Sequence, residues 1–228
     1  MAPPAFILVW DLDDTLGNFH VLTEMRRWGE RATVHLRPGI AATLERLSAE
    51  GFVHTVLTLA SPAYAELALR GTGLRHHFAE VACAGQRQKG DVEGIAGVFG
   101  MAPKECPHRM LFVGDHPLYD PPRSPGVVFH LEVRALERPA GAVQDLVLAL
   151  REQGGGSLRG GFDALLSRGV IESVEPGVQL RRVDHPGLDP LLLLTRDHGC
   201  PVVLFGDETA RPPGGDPVSF VPAQFHSS

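Results

Sequence analysis

The feature that most constrains this chain is an alternation. Short apolar runs at 5–10 (AFILVW), 52–59 (FVHTVLTL), 79–83 (AEVAC), 110–114 (MLFVG) and 127–131 (VVFHL) are separated by segments with helical spacing at 38–50, 61–70, 90–100 and 139–152. The apolar runs are short and bounded by polar or turn residues, so they read as buried strands. Pro38 and Pro62 stand near helix starts and Gly51 just past a helix end, where a fixed φ and a missing Cβ are each useful. Strand and helix in repeated alternation predict an α/β fold, a parallel sheet with helices on both faces. In such sheets ligands bind outside the carboxyl ends of the strands.

The alternation stops at "EQGGGSLRGG", residues 152–161, whose clustered glycines predict a flexible linker. The expected organisation is therefore a first domain over 1–152, a Gly-rich linker over 153–161 and a small C-terminal α+β extension over 162–228. In the last, "FDALLSRG" reads as a helix, "VIESVEPGVQLRRVD" as a hairpin turning at Glu175-Pro176-Gly177, "DPLLLLTRDHG" as a helix and "PVVLFG" as a strand. The Pro- and Gly-rich end, "ARPPGGDPVSFVPAQFHSS", reads as irregular. A unit of about 70 residues buries too little surface to be secure alone. It is expected to pack on the first domain, or to make a homodimer or protein-partner contact.

Composition narrows the function classes. With 43% hydrophobic and 21% charged residues the chain is globular, and its net charge of −6 is dispersed. No Lys/Arg-rich segment offers a footprint for a phosphate backbone, which disfavours nucleic acid as a partner. Cys83, Cys106 and Cys200 are odd in number and lack CxxC spacing, so they read as reduced thiols. No stretch approaches the roughly 18 apolar residues of a membrane span. The expectation is a cytoplasmic protein without a membrane partner.

The chemistry is concentrated where the strands end. "FILVWDLDDT" drives the first strand straight into Asp11 and Asp13, two carboxylates able to face one pocket. Close carboxylates repel unless a cation, a shared proton or an electrophile compensates, so the spacing points to a metal-assisted site. A carboxylate can also act as nucleophile on phosphorus while a second one protonates the leaving oxygen and later activates water. Hard oxygen ligands beside a phosphoryl substrate favour Mg²⁺. Three further strand ends carry matching chemistry. "TVLTLAS" offers the hydroxyls of Thr58 and Ser61, either of which suits a phosphoryl oxygen. "QRQKGDV" supplies Lys89, one of only two lysines, as a balancing cation. "MLFVGDHPLYD" supplies Asp115 and Asp120, fit to hold a metal.

The ordered set "DLDDT", "LTLAS", Lys89 and "GDHPLYD" resembles the four motifs of the haloacid dehalogenase (HAD) superfamily, the Rossmann-like Mg²⁺-dependent phosphohydrolases, over about residues 5–150. The resemblance implies a Rossmann-like three-layer α/β/α fold. It also implies Asp11 as the nucleophile and Asp13 as the general acid/base, with its main-chain carbonyl on Mg²⁺. Thr58 or Ser61 would bind the phosphoryl group, Lys89 would neutralise it, and Asp115 with Asp120 would complete the Mg²⁺ site. In this superfamily a lid domain enters after the first or second motif. Here the stretches from Asp11 to Thr58 and from Thr58 to Lys89 are short, which suggests an uncapped member with an open site.

The expected function is a Mg²⁺-dependent phosphomonoester hydrolase acting through an aspartyl phosphate on Asp11, with a small or macromolecular phosphorylated substrate. Its alternatives are a phosphotransferase or mutase using the same intermediate, and a non-catalytic scaffold that keeps the fold. Segment 17–39 is the expected flap over the pocket, with His20, Arg26, Arg27, Trp28 and His35 as substrate-contact candidates. Cys106, His108, His76 and His77 lack the paired spacing of a zinc loop.

Overall fold

Phe6–Trp10 consists of five consecutive apolar residues, and all five are buried. Only a strand covered on both faces uses such a run fully. The computed structural model describes residues 5–23, 32–83, 90–115, 129–132, 138–196, 201–205 and 216–220. The strands are β1 Phe6–Trp10, β2 Gly17–Asn18, β3 Ala32–Leu36, β4 Phe52–Leu57, β5 Phe78–Ala82, β6 Met110–Gly114, β7 Phe129–Glu132, β8 Val170–Glu175, β9 Val178–Val183, β10 Leu191–Arg196, β11 Val202–Phe205 and β12 Asp216–Phe220. The main helices are α1 Ile40–Ala49, α2 Pro62–Gly71, α3 Val92–Val98, α4 Ala140–Gln153 and α5 Leu158–Arg168.

One sheet runs β5-β4-β1-β6-β7-β11-β10-β9-β8. The pairings from β5 through β11 are parallel, and those among β11, β10, β9 and β8 are antiparallel. Read in chain order, the parallel part starts at its middle, grows outward through β4 and β5, then returns to the other side of β1 with β6 and β7. The architecture is the Rossmann-like α/β fold expected, with an antiparallel C-terminal extension. Its order reverses between β1 and β6, the crevice where such sheets place ligands.

The helices follow from their patterns. Ile40, Thr43, Leu44 and Leu47 make one buried stripe on α1, which packs against β4 and α4. Ser61 accepts the N–H of Tyr64 at the start of α2, with Pro62 beside it, and Asp91 accepts that of Gly94 at the start of α3. In the core, Trp10 Nε1–H donates to His54 Nδ1 at 3.1 Å, and His54 Nε2 lies 3.0 Å from the carbonyl oxygen of Leu44. The ring therefore carries its proton on Nε2 and donates it to Leu44. Burial lowers the His54 pKa to about 4, so the ring is a neutral bridge from β1 to α1.

Three expectations for the C-terminal part change. The Gly-rich stretch is a tight turn between two packed helices: Gly155 and Gly156 take φ of 59° and 88°, and Ser157 caps α5 by accepting the N–H of Gly160. Leu191–Arg196, expected to be helical, is a strand, because its leucines bridge β9 and β11 with Leu191 and Leu193 buried. The end of the chain, expected to be irregular, contributes β12, which pairs antiparallel with β3 in a second sheet of order β12-β3-β2. Pro217 is tolerated there because β12 is an edge strand.

Candidate functional site

The site grows out of the carboxyl ends of β1, β4 and β6. Trp10 pairs with Val113, and the N–H of Asp11 extends that ladder by donating to the carbonyl of Val113 at 2.8 Å. Asp11 and Asp115 are thus the first residues past two neighbouring parallel strands, at the point where the strand order reverses. Both are half-buried. Thr15 Oγ1 approaches Asp115 Oδ1 at 3.4 Å, a long hydrogen bond that ties the loop after β1 to the end of β6.

That loop is tightly wound. Asp14 N–H donates to the carbonyl of Gly17 at 2.9 Å and Leu16 N–H to that of Leu12 at 3.0 Å. Asp14 itself adopts a φ of 57°, a left-handed conformation that Asp tolerates better than most residues. The brace beneath is Arg37, whose side chain is completely buried. Its Nε donates to the carbonyl of Thr15 at 2.6 Å, and its two terminal nitrogens donate to the carbonyls of Asp14 at 2.9 Å and Arg138 at 3.0 Å. The guanidinium also puts a fixed positive charge under a loop dense in carboxylates, which partly offsets their repulsion.

Asp13 is held from α2. Tyr64 Oη donates to Asp13 Oδ1 at 2.8 Å. Burial, then the Asp13 charge and this hydrogen bond, push the Tyr64 pKa above its ordinary value, so the phenol stays protonated and remains a donor. One carboxylate oxygen of Asp13 is thereby engaged and the group is oriented. Thr58 follows β4 directly and is buried. Its N–H donates to the carbonyl of Ala82 at 3.0 Å, and its hydroxyl accepts the N–H of Ala60 at 3.1 Å. Ser61 is exposed, and its hydroxyl oxygen is used as the cap of α2.

Of the residues expected at the site, the structure puts Asp11, Asp13, Thr58 and Asp115 at strand ends or in the loop beside them, and Ser61 at a helix cap. Lys89 and Asp120 lie outside the described residues, as do Arg26, Arg27 and Trp28 from the expected flap. His20 is exposed, with Nε2 3.2 Å from Asp14 Oδ2, and His35 is exposed on β3. Cys106 is buried, and His108 Nδ1 lies 2.9 Å from Ser157 Oγ. Sequence reasoning missed Arg37 and Tyr64. The only hint was that Arg37 precedes a Pro-Gly helix start and Tyr64 lies three residues past Ser61. The donors present at the strand ends, Asp11, Asp13 and Asp115, are all oxygens, a set suited to a hard cation such as Mg²⁺ rather than to a thiophilic metal.

No family model and no curated protein matches the chain. Solved structures do. A HAD-superfamily hydrolase from Ehrlichia chaffeensis is similar at 13% identity and a TM-score of 0.47, covering 66% of this chain and 98% of that one. A HAD-superfamily hydrolase, subfamily IA, from Geobacter sulfurreducens is similar at 17% identity and 0.42, covering 57% and 90%. A HAD hydrolase from Bacillus subtilis, solved with magnesium bound, is similar at 15% identity and 0.41, covering 58% and 89%. The chain is similar in fold to these HAD-superfamily hydrolases.

Proposed function

We propose that this protein is a Mg²⁺-dependent phosphomonoester hydrolase that works through an aspartyl phosphate on Asp11. The observation that carries the reading is the pair of carboxylates just past β1 and β6, beside a second loop carboxylate, Asp13, oriented by a half-buried tyrosine. A solvated turn would need neither Tyr64 nor the buried Arg37 beneath it. Asp11 attacks phosphorus, forming the acyl phosphate as the bond to the ester oxygen breaks, and Asp13 gives its proton to that oxygen. Asp13 then takes a proton from water, whose oxygen attacks phosphorus. The bond to Asp11 breaks and inorganic phosphate leaves.

Asp11, the main-chain carbonyl of Asp13 and Asp115 would hold the Mg²⁺, together with Asp120. The bound cation would neutralise charge on the transferring phosphoryl oxygens. Thr58 is the better candidate for the phosphoryl contact, since it sits at a strand end whereas the Ser61 oxygen already caps a helix. Lys89 would balance the remaining anionic charge. The site is read as uncapped, because the stretch from Asp11 to β4 is short and already carries β2, β3 and α1. Such an open pocket suits a phosphorylated macromolecule or a small phosphate ester. The edge strand β8 exposes Val170, Ile171 and Val174, which supports a protein contact, including a homodimer, through the C-terminal part.

The test is hydrolysis of an aryl phosphate by wild type and Asp11→Asn, each with Mg²⁺ and with chelator. Turnover that requires both Asp11 and Mg²⁺ is the expected result. Turnover equal in the variant would remove Asp11 as nucleophile, and none in any condition would favour the scaffold alternative.

A further inference from the structure

At the far end of the sheet, three metal-ligating side chains converge that play no part in the site above. Glu45 projects from α1, while His76 and His77 lie in the single 3₁₀ turn Arg75–His77 that leads into β5. Each can offer one ligand atom, and those atoms all lie within 4.8 Å of one another. The two imidazoles are 3.9 Å apart between ring centroids. Since β1 and β5 run in the same direction, this cluster at the entrance of β5 is separated from Asp11, at the exit of β1, by the length of the sheet.

We propose that Glu45, His76 and His77 form a second metal site, selective for Zn²⁺ and related late first-row divalent ions. Two imidazoles and a carboxylate are the donors such ions prefer, whereas Mg²⁺ is a poor match for imidazole. Tetrahedral ligands about 2.0 Å from zinc stand about 3.3 Å from one another, so the present spacing needs only small side-chain rotations to close. The backbones that carry the ligands are already fixed. Glu45 sits on a helix anchored by the buried Leu44 and Leu47, and the turn is held by the His77 N–H to the carbonyl of Leu74 at 3.1 Å. The Arg75 guanidinium adds a bond to the carbonyl of Phe78 at 2.8 Å and an ion pair with Glu66. Among the described residues, none of the three ligand side chains has a hydrogen bond to give up. Three protein ligands leave a coordination position for water. The ion would clamp α1 to the turn that starts β5, the last strand on that side of the sheet, and would stabilise the edge.

The experiment titrates full-length, chelator-stripped protein with ZnCl₂ under saturating Mg²⁺, by calorimetry and by thermal unfolding. The expected result is one equivalent of Zn²⁺ bound and a raised Tm in wild type. His76→Ala and His77→Ala should weaken that binding at least tenfold and remove the shift in Tm, and Glu45→Gln should weaken it less. Glu45 and His76 are exposed, so their variants keep the fold. Zinc binding that is unchanged in His76→Ala and Glu45→Gln, or absent in wild type, overturns the proposal. Neither readout depends on phosphatase activity.

Discussion

At the scale of single residues, the site rests on side chains that hold its loop and orient its carboxylates. Replacing Arg37 by Met leaves the carbonyls of Asp14, Thr15 and Arg138 without their charged donor in a buried setting, at a cost of about 3 kcal/mol or more. Denaturant unfolding would register that loss, and the loop that carries Asp13 would lose its shape with it. Tyr64→Phe is a milder change. Without the phenol, Asp13 loses the donor that orients it, so kcat on an aryl phosphate should fall about tenfold while the Tm changes little. An unchanged kcat would show that Tyr64 does not position Asp13. His54 gives a prediction about stability alone. Its pKa is lowered from 6.5 to about 4 in the folded protein, chiefly by burial, so between those values the unfolded chain binds the extra proton. The sign follows: the contribution is full above pH 6.5 and fades as pH falls toward 4, by about 3 kcal/mol in total. Wild type compared with His54→Asn across pH 7 to 4 should show the steeper loss in wild type. Asp11, Asp13 and Asp115 were legible in the sequence because each stands beside an apolar run whose end is visible. Arg37 and Tyr64 were not, since their partners lie 22 and 51 positions away and only the folded chain brings them together.

Elements were legible where a local pattern and a local cap agree. The stripe Ile40, Thr43, Leu44, Leu47 and the Ser61-Pro62 start identify α1 and α2 without tertiary information. Four leucines in a row carry no period, so 191–194 could be read either way, and only pairing with β9 and β11 decides for a strand. β12 was hidden for a related reason, since its partner β3 lies nearly the whole chain away and its flanks are rich in Pro and Gly. The Gly-rich stretch misled because glycine serves close packing as well as flexibility. At Gly161 a Cβ would collide with the carbonyl of Leu150, so α5 can cross α4 only because that Cβ is missing. Gly161→Ala should therefore cost about 3 kcal/mol or more, whereas Gly141→Ala on α4, with nothing within 4 Å of the new methyl, should be neutral or stabilising by up to about 1 kcal/mol. Thermal unfolding of the two variants side by side separates packing from flexibility. Equal Tm values would restore the linker reading.

For the molecule as a whole, the consequence is that the C-terminal strands and the parallel sheet share one hydrogen-bonded surface. β11 pairs with β7 in parallel and with β10 in antiparallel fashion, so it is an interior strand of that surface rather than the start of a separate one. The same continuity reaches the site. The carbonyl of Arg138 receives a hydrogen bond from Arg37 under the Asp14–Thr15 loop. The Arg138 side chain pairs with Asp189, and its guanidinium lies 4.4 Å from the centroid of the Phe205 ring in β11. A chain cut after residue 153 would lose β11, leave the edge of β7 unpaired and strip the cover from the brace of the site. We therefore expect full-length protein to unfold by heat in one cooperative transition. Trypsin should leave the stretch between Arg151 and Arg159 uncut under native conditions, because α4 and α5 hold both arginines in packed helices. A fragment ending at residue 153 should aggregate or bind the dye that marks exposed apolar surface, and should hydrolyse no aryl phosphate. Two separate transitions, early cleavage at those arginines and an active, monomeric 1–153 fragment would together mean that the first 150 residues fold alone. The sheet beyond β7 would then be an addition that the site does not need.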